Sequence, residues 1–188
     1  LGVWTLRDIY LYDEAGNQNR LSTDDFKDLG IQTTIELTGG DGDINAPSIR
    51  SYQLPTYTVD LSNGDVNLGS IAQITDDLSG FRQGAAVWSA PTTTQFIQHN
   101  FEVYNDLISG DNLDGIYSDT TVVNQFAERG SWTLDYMYLR DEAGNYDYLN
   151  TDELKDLGIQ TTIELTGGDG DINAPSIRSY QLPTYTVD

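Results

Sequence analysis

The chain has no cysteine, one histidine, one methionine and only nine basic residues among 188. Without cysteine it can form no disulfide and has no thiolate chemistry. Zinc is an improbable partner, because zinc in proteins is bound mainly by histidine and cysteine. No apolar run approaches the length of a membrane-spanning helix and no signal peptide is recognisable, so we expect no membrane insertion.

Acidic residues, in contrast, are abundant, and 30 Asp and Glu against nine Lys and Arg give a net charge of -21. Such a chain repels a phosphate backbone, so nucleic acid is not an expected partner. The excess of charge can be tolerated through divalent cations bound to the folded state or through high external salt, or it serves solubility alone. Hydrophobic residues still make up 38% of the chain, which is enough for a packed core.

A long internal repeat organises the chain. Residues 27–60 recur without change at 155–188, and residues 1–60 match residues 129–188 with 12 differences. A repeat of this length predicts one structural unit copied in tandem. We expect the end of a preceding repeat at residues 1–38, a linker at 39–45, a complete repeat at 46–166, and a linker with the first strand of a following repeat at 167–188.

The complete repeat has the pattern of a β-sandwich. Seven segments alternate or are rich in β-branched and aromatic residues, and turn residues bound each of them. This pattern predicts an all-β fold, a seven-stranded immunoglobulin-like β-sandwich in tandem repeats, with Trp88 in its core. The predicted strands are Ser48–Leu54, Val66–Thr75, Phe81–Ser89, Gln95–Tyr104, Gly115–Val123, Ser131–Arg140 and Ile159–Leu165.

Two features lie outside this strand pattern. A short helix is predicted at Asn150–Gly158, with Thr151 as its cap and Gly158 at its end. The hairpin in residues 1–38, taken alone, is expected to leave four apolar side chains uncovered, so it needs further strands. These side chains are Trp4, Leu6, Ile9 and Leu11.

Alternating strand directions gather acidic loops at one end of the sandwich. Carboxylates crowded together resist ionisation unless a cation lies among them. Calcium takes about six to eight oxygen ligands from Asp, Glu, Asn and main-chain carbonyls, whereas Mg²⁺ needs a stricter octahedron and ranks second. We therefore expect Ca²⁺ as the cofactor. The candidate ligands are Asp41, Asp43, Asn45, Asp76, Asp77, Asp111, Asp114, Asp141 and Glu142, with Asp169, Asp171 and Asn173 in the second linker.

Other interpretations of these acids stay open. The linker departs from an EF-hand loop, because Ala46 stands where glycine is required and Tyr52 where a bidentate glutamate is required. Asp and Asn also serve turns, so the linker is alternatively a polar, turn-rich connection. Asp111 and Asp114 are alternatively residues that shape a tight turn before Gly115.

Two motifs resemble those of known repeat families. The sequence Asp-Gly-Asp-Ile-Asn-Ala-Pro at 41–47 resembles the Asp-x-Asn-Asp-Asn-Ala-Pro junction of cadherin repeats, with one potential ligand lost at Ile44. Asp-Glu-Ala-Gly-Asn at 141–145 resembles the Asp-x-Ala-Gly-Asn signature of bacterial Ig-like repeats. The resemblance implies tandem modules of large secreted, calcium-dependent adhesin-type proteins at the cell surface. It makes Asp41, Asp43 and Asn45 junction ligands, faced by Asp76, Asp77, Asp141 and Glu142 of the next module.

Catalytic patterns are missing from the sequence. The single histidine, His99, lies mid-strand without a glycine-rich elbow, and we expect it on the surface. We therefore predict that the chain is a structural module and not an enzyme. Its expected partners are neighbouring repeats of the same protein. A filament subunit completed by other chains is a further hypothesis. A carbohydrate-binding module is the alternative function, with Tyr146 and Tyr148 available to stack on a surface glycan.

Overall fold

The computed structural model describes residues 1–182, and the chain divides into two compact units, Leu1–Asp43 (unit 1) and Ile44–Asp188 (unit 2). Nearly all regular structure is β-strand, which confirms the all-β prediction. Within the described part of the chain, no helix is long and apolar enough to cross a membrane.

Unit 1 consists of two strand pairs and one short helix. Its strand β1 (Gly2–Thr5) pairs with β4 (Thr34–Leu37), and β2 (Asp8–Tyr12) pairs with β3 (Gln18–Ser22), both antiparallel. Ser22 caps the helix, because its hydroxyl accepts from the N–H of Asp25 while the Asp25 carboxylate accepts from the N–H of Ser22. The elements are β1 (Gly2–Thr5), β2 (Asp8–Tyr12), β3 (Gln18–Ser22), α1 (Thr23–Asp28) and β4 (Thr34–Leu37).

Unit 2 contains each of the seven predicted strands and three further short ones, β6, β10 and β13. Its helix is capped by Asn150, one residue before the predicted cap Thr151, and Gly158 follows its end with φ +77°. The elements are β5 (Ser48–Gln53), β6 (Thr58–Asp60), β7 (Val66–Thr75), β8 (Phe81–Ser89), β9 (Phe96–Glu102), β10 (Leu107–Gly110), β11 (Asp114–Val123), β12 (Gly130–Asp141), β13 (Tyr146–Asn150), α2 (Thr151–Asp156) and β14 (Thr162–Thr166).

The strands of unit 2 form two sheets in a sandwich-like arrangement. One sheet has the order β10-β11-β7-β5, and the other has the order β6-β14-β12-β8-β9, with β13 pairing to β12. The alternating apolar residues of both sheets meet in one core. Its largest fully buried side chains include Trp88, as predicted, together with Trp132, Tyr117, Phe81 and Phe101.

The position of the single histidine differs from the prediction. His99 on β9 is fully buried, so the expectation of a surface histidine is wrong. Its Nε2 donates to the carbonyl of Leu68 (2.9 Å), which leaves Nδ1 to accept from the Tyr52 hydroxyl (2.9 Å). Trp88 Nε1 donates to the same hydroxyl (3.1 Å). Burial lowers the pKa of His99, and a neutral imidazole with both nitrogens bonded is tolerated in a core.

The copied residues adopt the same pairings in both units. Trp4 pairs with Ile35 as Trp132 pairs with Ile163, an offset of 128 in each case. Residues 174–182, which copy residues 46–54, form no strand, because β7 already pairs with β5. Residues 183–188, the rest of the predicted following strand, lie outside the described residues.

Candidate metal site

Three acidic loops converge at one end of unit 2, as the alternating strand directions predict. The N–H of Asp76, after β7, donates to the carbonyl of Leu113, before β11 (2.9 Å). The N–H of Glu142, after β12, donates to the carbonyl of Gly80 in the first loop (3.0 Å). The acidic end is therefore a hydrogen-bonded structure, and its carboxylates are held by neighbouring loops.

Asp76 has one satisfied and one unsatisfied carboxylate oxygen. Its Oδ1 accepts from the N–H groups of Leu78 (3.1 Å) and Gly80 (2.7 Å), which closes the turn between β7 and β8. Its Oδ2 is buried and has no hydrogen-bond partner among the described residues. A buried acceptor without a partner costs about 1–3 kcal/mol, and more if it is charged. A cation bound to Oδ2 would remove this cost.

Asp77 and Asn45 lie close to Asp76. One carboxylate oxygen of Asp77 lies within 4.8 Å of one of Asp76. The Asn45 amide donates to Asp77 Oδ2 (2.8 Å), so the residues before β5 are tied to the β7–β8 loop. All three residues line an open cavity of about 580 Å³. The cavity thus presents carboxylate and amide groups of the kind that bind a hard cation.

Two further charged residues line the same cavity, and the sequence had pointed to neither. Asp147 on β13 adds a third carboxylate, and Arg50 on β5 adds a positive charge whose Nε donates to Thr75 Oγ1 (2.9 Å). Asp147 was missed because strand β13, which places it beside the cavity, was not predicted. The available signal was its place two residues after the Asp-x-Ala-Gly-Asn motif.

Asp141 clamps a hairpin turn. It is fully buried, its Oδ1 accepts from the N–H groups of Gly144 (2.5 Å) and Asn145 (2.7 Å), and its Oδ2 accepts from the Asn145 amide (2.7 Å). In unit 1 the Asn17 side chain bonds Asp13 in the same way (2.7 Å) and lowers the pKa of that carboxyl. The motif therefore builds a turn in both copies, and both Asp141 oxygens already accept from donors within that turn.

The remaining loop acids also have protein partners. Asp111 Oδ1 accepts from the N–H groups of Asp114 (3.0 Å) and Leu113 (2.8 Å), and these bonds lower the pKa of Asp111. These hydrogen bonds match the alternative interpretation, in which Asp111 shapes the tight turn before Gly115. Glu142 accepts from the Tyr104 hydroxyl (3.1 Å), and that bond raises the pKa of Tyr104.

The structure separates the candidate ligands of the two linkers. Asp41 and Asp43 belong to unit 1, whereas Asn45 belongs to unit 2. Asp169, Asp171 and Asn173 lie at the other end of unit 2, where the N–H of Asp171 donates to the carbonyl of Phe126 (2.9 Å) beyond the end of β11. The structure therefore brings Asn45, Asp76 and Asp77 together and places the second linker's three residues away from them.

Comparison with known proteins identifies one family. A family model described as a domain of unknown function (DUF7035) matches residues 42–174. This span contains every strand of unit 2 and the residues Asn45, Asp76, Asp77 and Asp147. No curated protein matches the chain.

Proposed function

The chain belongs to the DUF7035 family, and we propose that unit 2 is a structural, extracellular module of a repetitive adhesin, matrix or filament protein, in which Ca²⁺ stiffens the entering linker. The module would be an immunoglobulin-like sandwich that recurs in tandem, and its partners would be neighbouring copies of the same module. The 128-residue offset between the copies and the two-sheet arrangement of unit 2 support this proposal.

The buried Oδ2 of Asp76 is the observation that carries the metal proposal. Oxygen atoms are the ligands that calcium prefers, and Asp76, Asp77 and Asp147 offer carboxylates in one cavity. Arg50 in the same cavity offsets one of these negative charges. The residue set contains no histidine or cysteine, which argues against zinc. An ion here would join the segment at Asn45 to the β7–β8 loop and so limit its motion.

The proposal predicts that calcium raises the melting temperature of the chain. At a concentration of 100 times Kd, an ion that binds only the folded state adds about 2.7 kcal/mol. For a chain of this size that corresponds to a rise of roughly 5–10 °C. Melting is measured by circular dichroism in millimolar Ca²⁺ and in excess chelator, and the same midpoint in both would contradict the proposal.

Two matched variants locate the effect. Asp76→Asn keeps an oxygen for the bonds from Leu78 and Gly80 but removes the charge. It should abolish most of the calcium-dependent rise. Asp156→Asn makes the same change of charge on the exposed face of α2 and should leave the rise intact. Should Asp76→Asn fail to fold, Asp77→Asn at an exposed position tests the same site.

Carbohydrate binding ranks second. Tyr146 is 73% exposed, but Tyr148 stacks on Tyr136 with ring centroids 4.8 Å apart, so one of its faces is covered. The corresponding residues of unit 1 are Gln18 and Arg20. A glycan array probed with the chain should therefore show no binder, and a specific hit lost in Tyr146→Ala would favour this function instead.

A further inference from the structure

Unit 1 exposes an apolar face whose counterpart in unit 2 is core. We call this set of side chains the open face, and its members are between 37% and 61% exposed. The residues 128 positions later are all at most 7% exposed. The open face comprises Trp4, Leu6, Ile9, Leu11, Ile31, Ile35 and Leu37, and its counterparts are Trp132, Leu134, Met137, Leu139, Ile159, Ile163 and Leu165.

The open face already has the strand register of its buried counterpart, although β1 and β2 are separate strands where β12 is continuous. The register of β1 with β4 and of β2 with β3 equals that of β12 with β14 and with β13. Phe26 on α1 is 3% exposed and Leu154 on α2 is fully buried, so both helices dock in the same way. Little rearrangement is needed before the open face can be covered, which favours binding.

The differences between the copies preserve this face. Of the 12 differing positions, one lies on the open face, and there isoleucine at 9 is replaced by methionine at 137. Other positions change charge or polarity, as in Arg7 to Asp135 and Arg20 to Tyr148. All 12 differences lie within residues 1–26, where three of the four open-face residues are unchanged and the fourth remains apolar.

The strands that cover the counterpart all come from residues 44–128. Strand β8 pairs along β12, with Trp88 opposite Leu134. The facing sheet contributes Tyr52, Ile74 and Tyr117 to the same core. In the described part of the chain, β1 pairs with β4 and β2 pairs with β3, and neither has a partner equivalent to β8. Unit 1 thus offers both an apolar face and an open strand edge.

We propose that the open face binds a further copy of the residue 44–128 sequence, in the arrangement that residues 44–128 adopt on the counterpart in unit 2. In unit 2 the peptide bond between Glu128 and Arg129, the counterpart of Leu1, joins residues 44–128 to the face that they cover. A second whole copy of this chain is a poorer occupant, because its residues 44–128 already hold its own β12 and β14. The inference goes beyond the metal proposal, since it concerns another surface and requires no ion.

A thiol-protection experiment tests this proposal, because the chain has no cysteine of its own. Leu11→Cys places a thiol on the open face, where the counterpart Leu139 is fully buried. Tyr12→Cys places the control thiol at a position whose counterpart, Arg140, is exposed. Each variant is made in the 188-residue chain and in the same chain extended by residues 44–128 ahead of Leu1, and labelling rates are measured with and without chelator.

The extension should slow labelling of Leu11→Cys at least a hundredfold and leave Tyr12→Cys unchanged, with or without calcium. Equal labelling of Leu11→Cys in both chains would overturn the proposal. So would protection in the unextended chain that rises with its concentration, because a second whole copy would then be the occupant. Protection without calcium, combined with an unchanged melting midpoint, would refute the metal proposal alone.

Discussion

Residues 1–43 and 129–171 are identical at 31 of 43 positions and share the same strand register, yet one segment is mostly exposed and the other is core. Trp4 is 61% exposed and Trp132 is 1% exposed, although each lies opposite an isoleucine on the neighbouring strand. Local pairing therefore depends on the segment itself, whereas burial depends on residues 44–128. Residues 1–43 and their copy therefore each contain only half of a hydrophobic core. The other half must come from a different segment.

The tryptophans should give the largest difference between the two copies. Trp132→Ala removes a fully buried ring and should lower the free energy of unfolding of unit 2 by about 3–5 kcal/mol. Trp4→Ala removes an exposed ring and should cost less than about 1 kcal/mol. Urea unfolding of the two variants measures both values. Equal losses of unfolding free energy would show that Trp4 is buried in solution and that the two copies do not differ in burial.

The turn-clamping aspartates should differ less. Asp141→Ala leaves the N–H groups of Gly144 and Asn145 without their acceptor in a buried turn and should cost about 1–3 kcal/mol. Asp13→Ala breaks the same turn on an exposed hairpin and should cost less than about 1 kcal/mol. Unfolding is followed in chelator, so that the two values report the hydrogen bonds alone. A larger loss for Asp13→Ala would contradict the assigned environments.

Acidification should give the smallest change in the free energy of unfolding, and the change should be confined to unit 2. The pKa of His99 is lowered in the folded state, so below about pH 6.5 the unfolded chain binds a proton that the folded unit does not. Stability is therefore lost as the pH falls, by at most about 1.4 kcal/mol per pH unit. Urea unfolding at pH 7.5 and 5.5 measures the loss, and His99→Gln should remove most of the pH dependence. Equal slopes in both proteins would count against the buried neutral imidazole.

The sequence predicted the strands well, because alternation and turn residues are local signals. It also predicted the meeting of the acidic loops, since strand direction alternates along the chain. It did not predict that β9 pairs with β8, nor the short strands β6, β10 and β13, whose pairing depends on distant partners. The burial of His99 was missed for a similar reason, because its partners Tyr52 and Leu68 are remote in the sequence.

The sequence named residues of the candidate site but not the part that each plays in the structure. Asp76 and Asp77 were named from their sequence, but their role depends on which oxygens the backbone already satisfies. That information separates Asp76, with its unpartnered Oδ2, from Asp141, whose two oxygens are occupied within a turn. Motif similarity had treated the two residues alike.

The most direct measurement of the central claim is an anomalous difference map from a crystal grown in millimolar calcium. We expect a calcium peak about 2.3–2.6 Å from Asp76 Oδ2, with an oxygen of Asp77 or Asp147 among its further ligands. A well-ordered Asp76 carboxylate without such a peak, at a calcium concentration that saturates any weak site, would contradict it.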